Sequence, residues 1–405
     1  MERTDALVVG GGSAGLSVSH ELTRLGIDHV VVERGRIGQA WRDRWDSFCL
    51  VTPNWSVRLP GGAYDGEDPD GFMPKDDIAE HLERYATSFD APVREGVDVE
   101  AVTTAPGSFA ARTSDGEFRA HAVIAASGTF GRPHRPAEAS AFPARLTVLD
   151  ITSYTSPEAL PPGRVLVVGS GQSGCQVAEE LHEAGRDVVL SCGRAPWTTR
   201  RIGDRDMFWW LQETGFLGQT LAQLPSPAAR LNSNPLTSGH GGGHDLHLRT
   251  LRAMGVTLVG RFKGLASGYA HFEPDLAQSV AWGDARWADF SAQVRRVADR
   301  LGTPAPDLAE PEPFDPDSPE KIPVGDLAVV LFTGGFRPAY SDWLPWPHAF
   351  DETGFPIQTD GASTVVDGLF FVGTHFLRTR GSSILAGVGE DARVVAEQVA
   401  SKVSR

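Results

Sequence analysis

The chain has 405 residues, enough for two or three domains at roughly 150 residues each. Hydrophobic residues at 41% and charged residues at 22% describe a globular chain able to bury a sizeable core. With 37 Lys and Arg against 52 Asp and Glu, the net charge of −15 argues against nucleic acid or an anionic membrane surface as partner, since either needs a basic footprint. No apolar run approaches the roughly 18 residues that span a bilayer. The N-terminus lacks a secretory shape, its short apolar stretch running straight into glycines. Cys49, Cys175 and Cys192 form neither a disulfide framework nor a CxxC pair, so a reducing cytoplasm is the expected location.

Ala6–Val9 predicts a short buried strand. Gly10-Gly11-Gly12-Ser13-Ala14-Gly15 follows, then a helix-period segment from Leu16 to Leu25 and a second strand, His29–Val32, ending at Glu33. This is a dinucleotide fingerprint in its proper setting. Gly10 makes the tight turn, Gly12 admits a pyrophosphate, and Gly15 lets helix and strand pack closely. Ser13 and Ala14 open the helix and point free N–H groups at the phosphates. Glu33 lies where a carboxylate accepts both ribose hydroxyls. Ala122–Thr129 reads as a strand running into small residues, a place where backbone approaches backbone near a nucleotide.

Arg164–Val168 is another short strand, and Gly169-Ser170-Gly171-Gln172-Ser173-Gly174 repeats the spacing. A helix over Cys175–Glu183 and a strand over Asp187–Leu190 complete the unit. Here no acid follows; Ser191-Cys192-Gly193-Arg194 does, with Arg200 and Arg201 nearby. Arg194 suits a ribose 2′-phosphate, hence NADPH over NADH, although solvated or salt-bridged arginines are the bland alternative. Met207-Phe208-Trp209-Trp210 reads as core more readily than as pocket lining. The three histidines in Gly239–His247 lack a preorganised ligand set, so no metal is expected, and Asp245 is expected to cap a helix opening at Leu246. A helix is predicted over Trp287–Leu301, then a Pro- and acid-rich surface loop over 303–320. Leu327–Phe332 with Thr333-Gly334-Gly335 is a further strand-to-turn crossing. Gly368–Thr374 is a strand running into a loop that carries Gly373 and Thr374. A helix from about Gly389 to Val399 is expected to return to the first domain.

Two fingerprints mean two nucleotides: FAD, held permanently by the acid-ended unit, and a nicotinamide nucleotide that comes and goes. The fold class expected is α/β, two Rossmann-like dinucleotide-binding domains in a disulfide-reductase-like arrangement. The FAD domain is expected over 1–155 and 325–405, interrupted by an NAD(P)H domain over 156–324.

The motifs resemble class B flavoprotein monooxygenases, specifically the bacterial CzcO-like flavin-containing monooxygenases, with plant YUCCA enzymes more distant. The matching stretches are Val8–Gly15 with Glu33, Ile37–Arg42 with Trp45, Leu50–Pro53, Leu59–Gly61, the second glycine motif, Arg200–Asp206, Gly242–Arg249, Thr333–Pro338 and Gly368–Ala392. The resemblance implies that NADPH reduces FAD, O2 adds to the reduced flavin, and a C4a-peroxyflavin passes one oxygen to a nitrogen, sulfur or carbonyl carbon of a small organic substrate. It places Gln39, Trp41, Arg42 and Thr52 among the cofactor residues and Trp41 and Trp45 over the flavin. His375 follows the Gly373-Thr374 turn and reads equally as a structural or a proton-transfer residue. Animal relatives carry a catalytic Asn directly after the Leu-Val-Thr stretch; Pro53 fills that slot here, which makes Asn54 the candidate. The family linker F-x-G-x-x-x-H-x-x-x-[Y/F] keeps only Tyr154, with Leu146 and Asp150 where Gly and His are expected. That erosion leaves an NAD(P)H oxidase or flavin-dependent dehydrogenase, with O2 only as electron sink, as the alternative. A non-catalytic nucleotide-binding protein is disfavoured by the intact glycines. A homo-oligomer is compatible with the chain, and no residue pattern specifies one.

Overall fold

A computed structural model describes residues 1–404. The chain opens with β1 (Glu2–Val9), α1 (Ser13–Arg24) and β2 (His29–Glu33), as the first fingerprint requires. After α2 (Lys75–Ser88), β3 (Val93–Glu95) joins β2, and β4 (Val99–Ala105), β5 (Ser108–Thr113) and β6 (Gly116–Ala125) follow as a meander. From Phe118 to Ala125, β6 pairs in parallel with β1, Ala122 to Ala125 lying opposite Ala6 to Val9. Ala6, Leu7 and Val8 have no solvent exposure. A strand covered on both faces reads as a continuous apolar run, and each such Val or Leu contributes about 1.5–3 kcal/mol.

The chain then crosses to a second sheet through β7 (Thr147–Asp150), β8 (Arg164–Val168), α3 (Gln172–Glu183) and β9 (Val188–Ser191). After α4 (Met207–Glu213) and α5 (Leu248–Met254) come β10 (Thr257–Val259), α6 (Leu276–Leu301) and β11 (Leu327–Phe332). The five strands lie in the order β7-β11-β8-β9-β10, all parallel. Finally β12 (Leu369–Phe371) pairs with β6 in the first sheet, and α7 (Val388–Val403) packs on α1.

Two corrections to the expected domain limits follow from sheet membership. Both β7, assigned to the first domain by a boundary at 155, and β11, assigned to it by a boundary at 325, belong to the second sheet. Their Val148, Val330 and Phe332 side chains pack with Val189 and Val259 of that sheet, so hydrophobic burial decides the matter. Trp45, expected over the flavin, is instead buried in the second domain's core with Ile151, Tyr154 and Cys175. The helical turn that carries Trp41 ends at Arg42, so the two indoles do not share a helix face. Among the described residues no helix is long and apolar enough to cross a membrane.

Candidate active site

Both glycine loops are built alike. Gly10 and Gly169 each have φ +116°, which only glycine adopts without strain. A Cβ on Gly15 would stand 1.8 Å from Gly10 O, and one on Gly174 would stand 1.9 Å from Gly169 O. Each of these glycines is therefore required by the close approach of helix to strand. Gly12 is different: a Cβ there meets nothing within 4 Å, and Gly171 meets only Ser233, at 3.9 Å or more. Those two open positions front helices whose first turns carry no side-chain cap, leaving Ser13, Ala14, Gln172 and Ser173 at bare N-termini. Free N–H groups at an uncapped N-terminus suit a diphosphate.

The flanking residues differ as their charges require. Glu33 accepts hydrogen bonds from Gly11 N at 2.6 Å and from Gly35 N at 2.8 Å, which fixes both carboxylate oxygens at the mouth of the first loop. Each oxygen keeps a second lone pair for a ribose hydroxyl. At the end of β9, Gly193 N donates to Ser170 Oγ at 3.0 Å, and the exposed Arg194 that follows makes no ion pair among the described residues. Arg200 corrects the expectation of a phosphate-binding cluster: it is buried, paired with Asp206, and donates to Val51 O at 2.8 Å and Thr237 Oγ1 at 3.2 Å. Arg201 donates to the backbone of Asp204.

The loops after β11 and β12 close over the two fingerprints. Thr333 Oγ1 donates to Gly169 O at 2.7 Å, and Gly334 lies against His134 O. Gly373 rests on Ala14, where a Cβ would come within 2.5 Å. Thr374 is buried, with its hydroxyl 2.6 Å from that of Tyr340. Gln39 and Arg42 are engaged with protein, Gln39 with Asp43 at 2.7 Å and Arg42 with Glu83 at 2.8 Å. Trp41 and Thr52 are half-buried. Asn54 is buried, donating to Asp68 O at 2.9 Å and accepting from Met73 N at 2.7 Å, so its amide clamps the 68–73 loop.

Sequence reasoning missed a cavity of about 600 Å³ beside Thr374, lined by Arg230, Asp351, Phe355, Gln358, His375 and Phe376. Arg230 pairs with Asp351 and lies 3.9 Å over the Phe355 ring. Burial, with Arg230 and Arg380 nearby, pushes the His375 imidazole down to about 4, so it is neutral at physiological pH. No sequence spacing joins Arg230 to Asp351, 121 positions away, which is why this site had no signal.

The other histidines resolve individually. His244 bonds Glu179 at 2.7 Å. The helix expected to open at Leu246 under an Asp245 cap begins at Leu248, with His247 accepting from Thr250 N; Asp245 accepts from Arg200 N instead. The linker is also explained. Leu146 is buried with Phe332, Asp150 holds Arg135 through two hydrogen bonds of 2.6 and 2.9 Å, and Tyr154 donates to Glu180 at 2.8 Å. An ion pair stands where the family has a histidine.

A family model described as pyridine nucleotide-disulphide oxidoreductase matches residues 7–212. An uncharacterised CzcO-like oxidoreductase of Geobacillus kaustophilus is 30% identical over 398 residues, covering 98% of each chain. The indole-3-pyruvate monooxygenase YUCCA1 of Oryza sativa is 30% identical over 210 residues, half of each chain. A flavin-containing monooxygenase from Stenotrophomonas maltophilia superposes with a TM-score of 0.70 at 20% identity, over 99% of each chain. These findings agree with the resemblance drawn from the motifs. The chain is an oxidoreductase of the pyridine nucleotide-disulphide oxidoreductase family and belongs, within it, to the CzcO-like branch.

Proposed function

We propose that this protein is an FAD-dependent, NAD(P)H-driven monooxygenase that places one oxygen of O2 on a small organic substrate. The observation that carries the reading is the pair of matched glycine loops, one ended by a fixed carboxylate and the other by an exposed arginine. The first loop, with Gly10, Gly12, Ser13, Ala14, Gly15, Glu33, Gly373 and Thr374, fits FAD; Gln39, Trp41, Arg42 and Thr52 shape the wall of that site. The second, with Gly169, Gly171, Gln172, Ser173, Gly174, Arg194 and Gly334, fits NADPH, with NADH as the weaker ligand. The chemistry a flavin held by the first loop would supply is two-electron transfer from a nicotinamide to O2.

The chain's own residues set the surroundings. Neutral His375, Phe355 and Arg230 line the cavity offered to substrate. Asn54 acts through the 68–73 loop that it clamps. The three cysteines are buried, and burial pushes each thiol up, so a dithiol relay has no accessible member. Cytoplasmic location and the absence of a nucleic-acid or membrane partner belong to the same proposal.

The test is turnover with NADPH under isotopically labelled O2, with mass analysis of products across amines, sulfides and ketones. Label in a product supports the proposal. Complete return of the electrons as H2O2 with every substrate overturns it in favour of the oxidase reading, which the Arg135–Asp150 pair in the linker favours.

A further inference from the structure

Arg380 belongs to the loop between β12 and α7 of the first domain, yet its side chain reaches the second. Its Nε and Nη2 donate to Gln219 Oε1 at 3.2 and 2.9 Å, and its Nη1 donates to Asn234 Oδ1 at 3.1 Å. The guanidinium is packed between the Phe216 ring at 4.2 Å and the Phe376 ring at 4.9 Å. No carboxylate among the described residues pairs with it. Its neighbours are treated otherwise: Arg230 has Asp351, and Arg378 has Asp360 and Asp391. Burial without a counter-ion lowers the Arg380 pKa to about 10. An arginine has five N–H groups and three are in use, so two remain unpaired.

The partners of Arg380 point to the ligand. Ser233, beside Asn234, is the residue that borders the open Gly171 position. Gln172, at the start of α3, grips the same segment through the backbone O of Thr237 and through Thr237 N at 3.3 Å. Residues 233–237 therefore lie along the N-terminus of α3, and Arg380 is bonded to that same segment at Asn234. An anion seated on the second glycine loop would lie beside a half-buried cation that has only neutral partners. Charge-assisted hydrogen bonds to phosphate are stronger than bonds to neutral amides, so the exchange is favourable.

We propose that Arg380 is the first domain's ligand for the diphosphate of a pyridine nucleotide held on the second glycine loop, and that it clasps the two domains around that nucleotide. This rests on the reading of the second loop as a pyridine-nucleotide site. Reaching in from the first domain, Arg380 meets the phosphate nearer the nicotinamide.

The test uses the full, FAD-loaded chain and equilibrium titration, without turnover. The probes are NADP+, 2′-phospho-ADP-ribose and adenosine 2′,5′-bisphosphate, which lacks the nicotinamide-side phosphate. Arg380→Gln is expected to weaken the first two by about ten-fold or more and to leave the third unchanged. Arg380→Lys, which keeps the charge but loses the fork, is expected to fall between. An equal loss for all three probes, or no loss for any, overturns the contact. A loss confined to NADP+ moves the arginine to the nicotinamide and also overturns it. If Arg380→Gln does not fold, Arg380→Lys binding both diphosphate ligands as tightly as the parent likewise overturns the contact. A parent enzyme that binds none of the probes refutes the reading of the second loop itself.

Discussion

At the scale of single residues, charge and burial decide which arginines are open to a ligand. Arg194 is exposed after β9 and has no ion pair among the described residues, whereas Arg200 is buried against Asp206. Arg194→Ala is therefore expected to weaken NADPH binding by about ten-fold while changing NADH binding little, because only NADPH carries the 2′-phosphate. Equal affinity ratios for the two nucleotides in variant and parent, measured by titration, would remove Arg194 from that role. The glycine turns and the position of Glu33 were legible because each stands at a fixed offset from a strand end, and Arg194 is exposed at the corresponding place after β9. Arg200 was misread because sequence proximity to Arg194 says nothing about the direction of a side chain. The Arg201–Ile202 and Arg205–Asp206 hairpin brings Asp206 back onto Arg200, and that return has no signature in spacing.

At the scale of elements, the fingerprint units were legible and the irregular segments were not. The long helix α6 begins at Leu276, well before the expected Trp287, because Gly283 and Asp284 interrupt its apolar pattern. Both are explained by contact: Gly283 passes the backbone of Ala195 and the ring of Trp197, and Asp284 accepts from Trp197 Nε1 at 3.0 Å. The Pro-rich stretch after α6 is irregular, as its composition implies, yet tethered. Leu308 is buried, and Trp287 Nε1 donates to Ala309 O at 2.8 Å. The cap of α5 has a measurable consequence. His247 accepts from Thr250 N, which needs a neutral ring, and burial pushes its pKa down to about 4 from an ordinary 6.5. The unfolded chain thus binds a proton between those values that the folded chain refuses. Stability is full above pH 6.5 and falls by up to about 3 kcal/mol as the pH drops towards 4. His375 shifts in the same direction and adds to the slope. His247→Asn keeps a good N-cap without the titration. Denaturation midpoints at pH 7 and pH 5 should then lie closer together than in the parent; an unchanged gap would mean that His247 does not carry the acid sensitivity.

At the scale of the whole molecule, the two domains are joined by part-buried polar contacts and one inserted indole. Ser47 donates to Glu180 on α3 at 2.7 Å, a carboxylate that also accepts from Tyr154 of the second core at 2.8 Å, and Trp45 inserts into that core. Arg200 completes the join by linking Asp206 to the carbonyl of Val51, next to Thr52 and the loop that Asn54 clamps. These two bonds predict two separable effects, one on stability and one on the placement of residues 51–54. Arg200→Met leaves the largely covered Asp206 carboxylate without its counter-ion, which is expected to cost about 3 kcal/mol and to lower the melting temperature. Adding Asp206→Asn removes the stranded charge and keeps the bond to Phe208 N that caps α4. The double variant should therefore recover most of the lost stability. It does not restore a donor to Val51 O, so residues 51–54 are expected to stay misplaced. The expected signature is a near-parental melting temperature combined with a larger share of NADPH oxidation ending in H2O2. Recovery of both properties together would show that Arg200 serves folding alone. Recovery of stability without recovery of coupling would place the alignment of the two domains, and not only their separate cofactor loops, among the requirements for oxygen transfer.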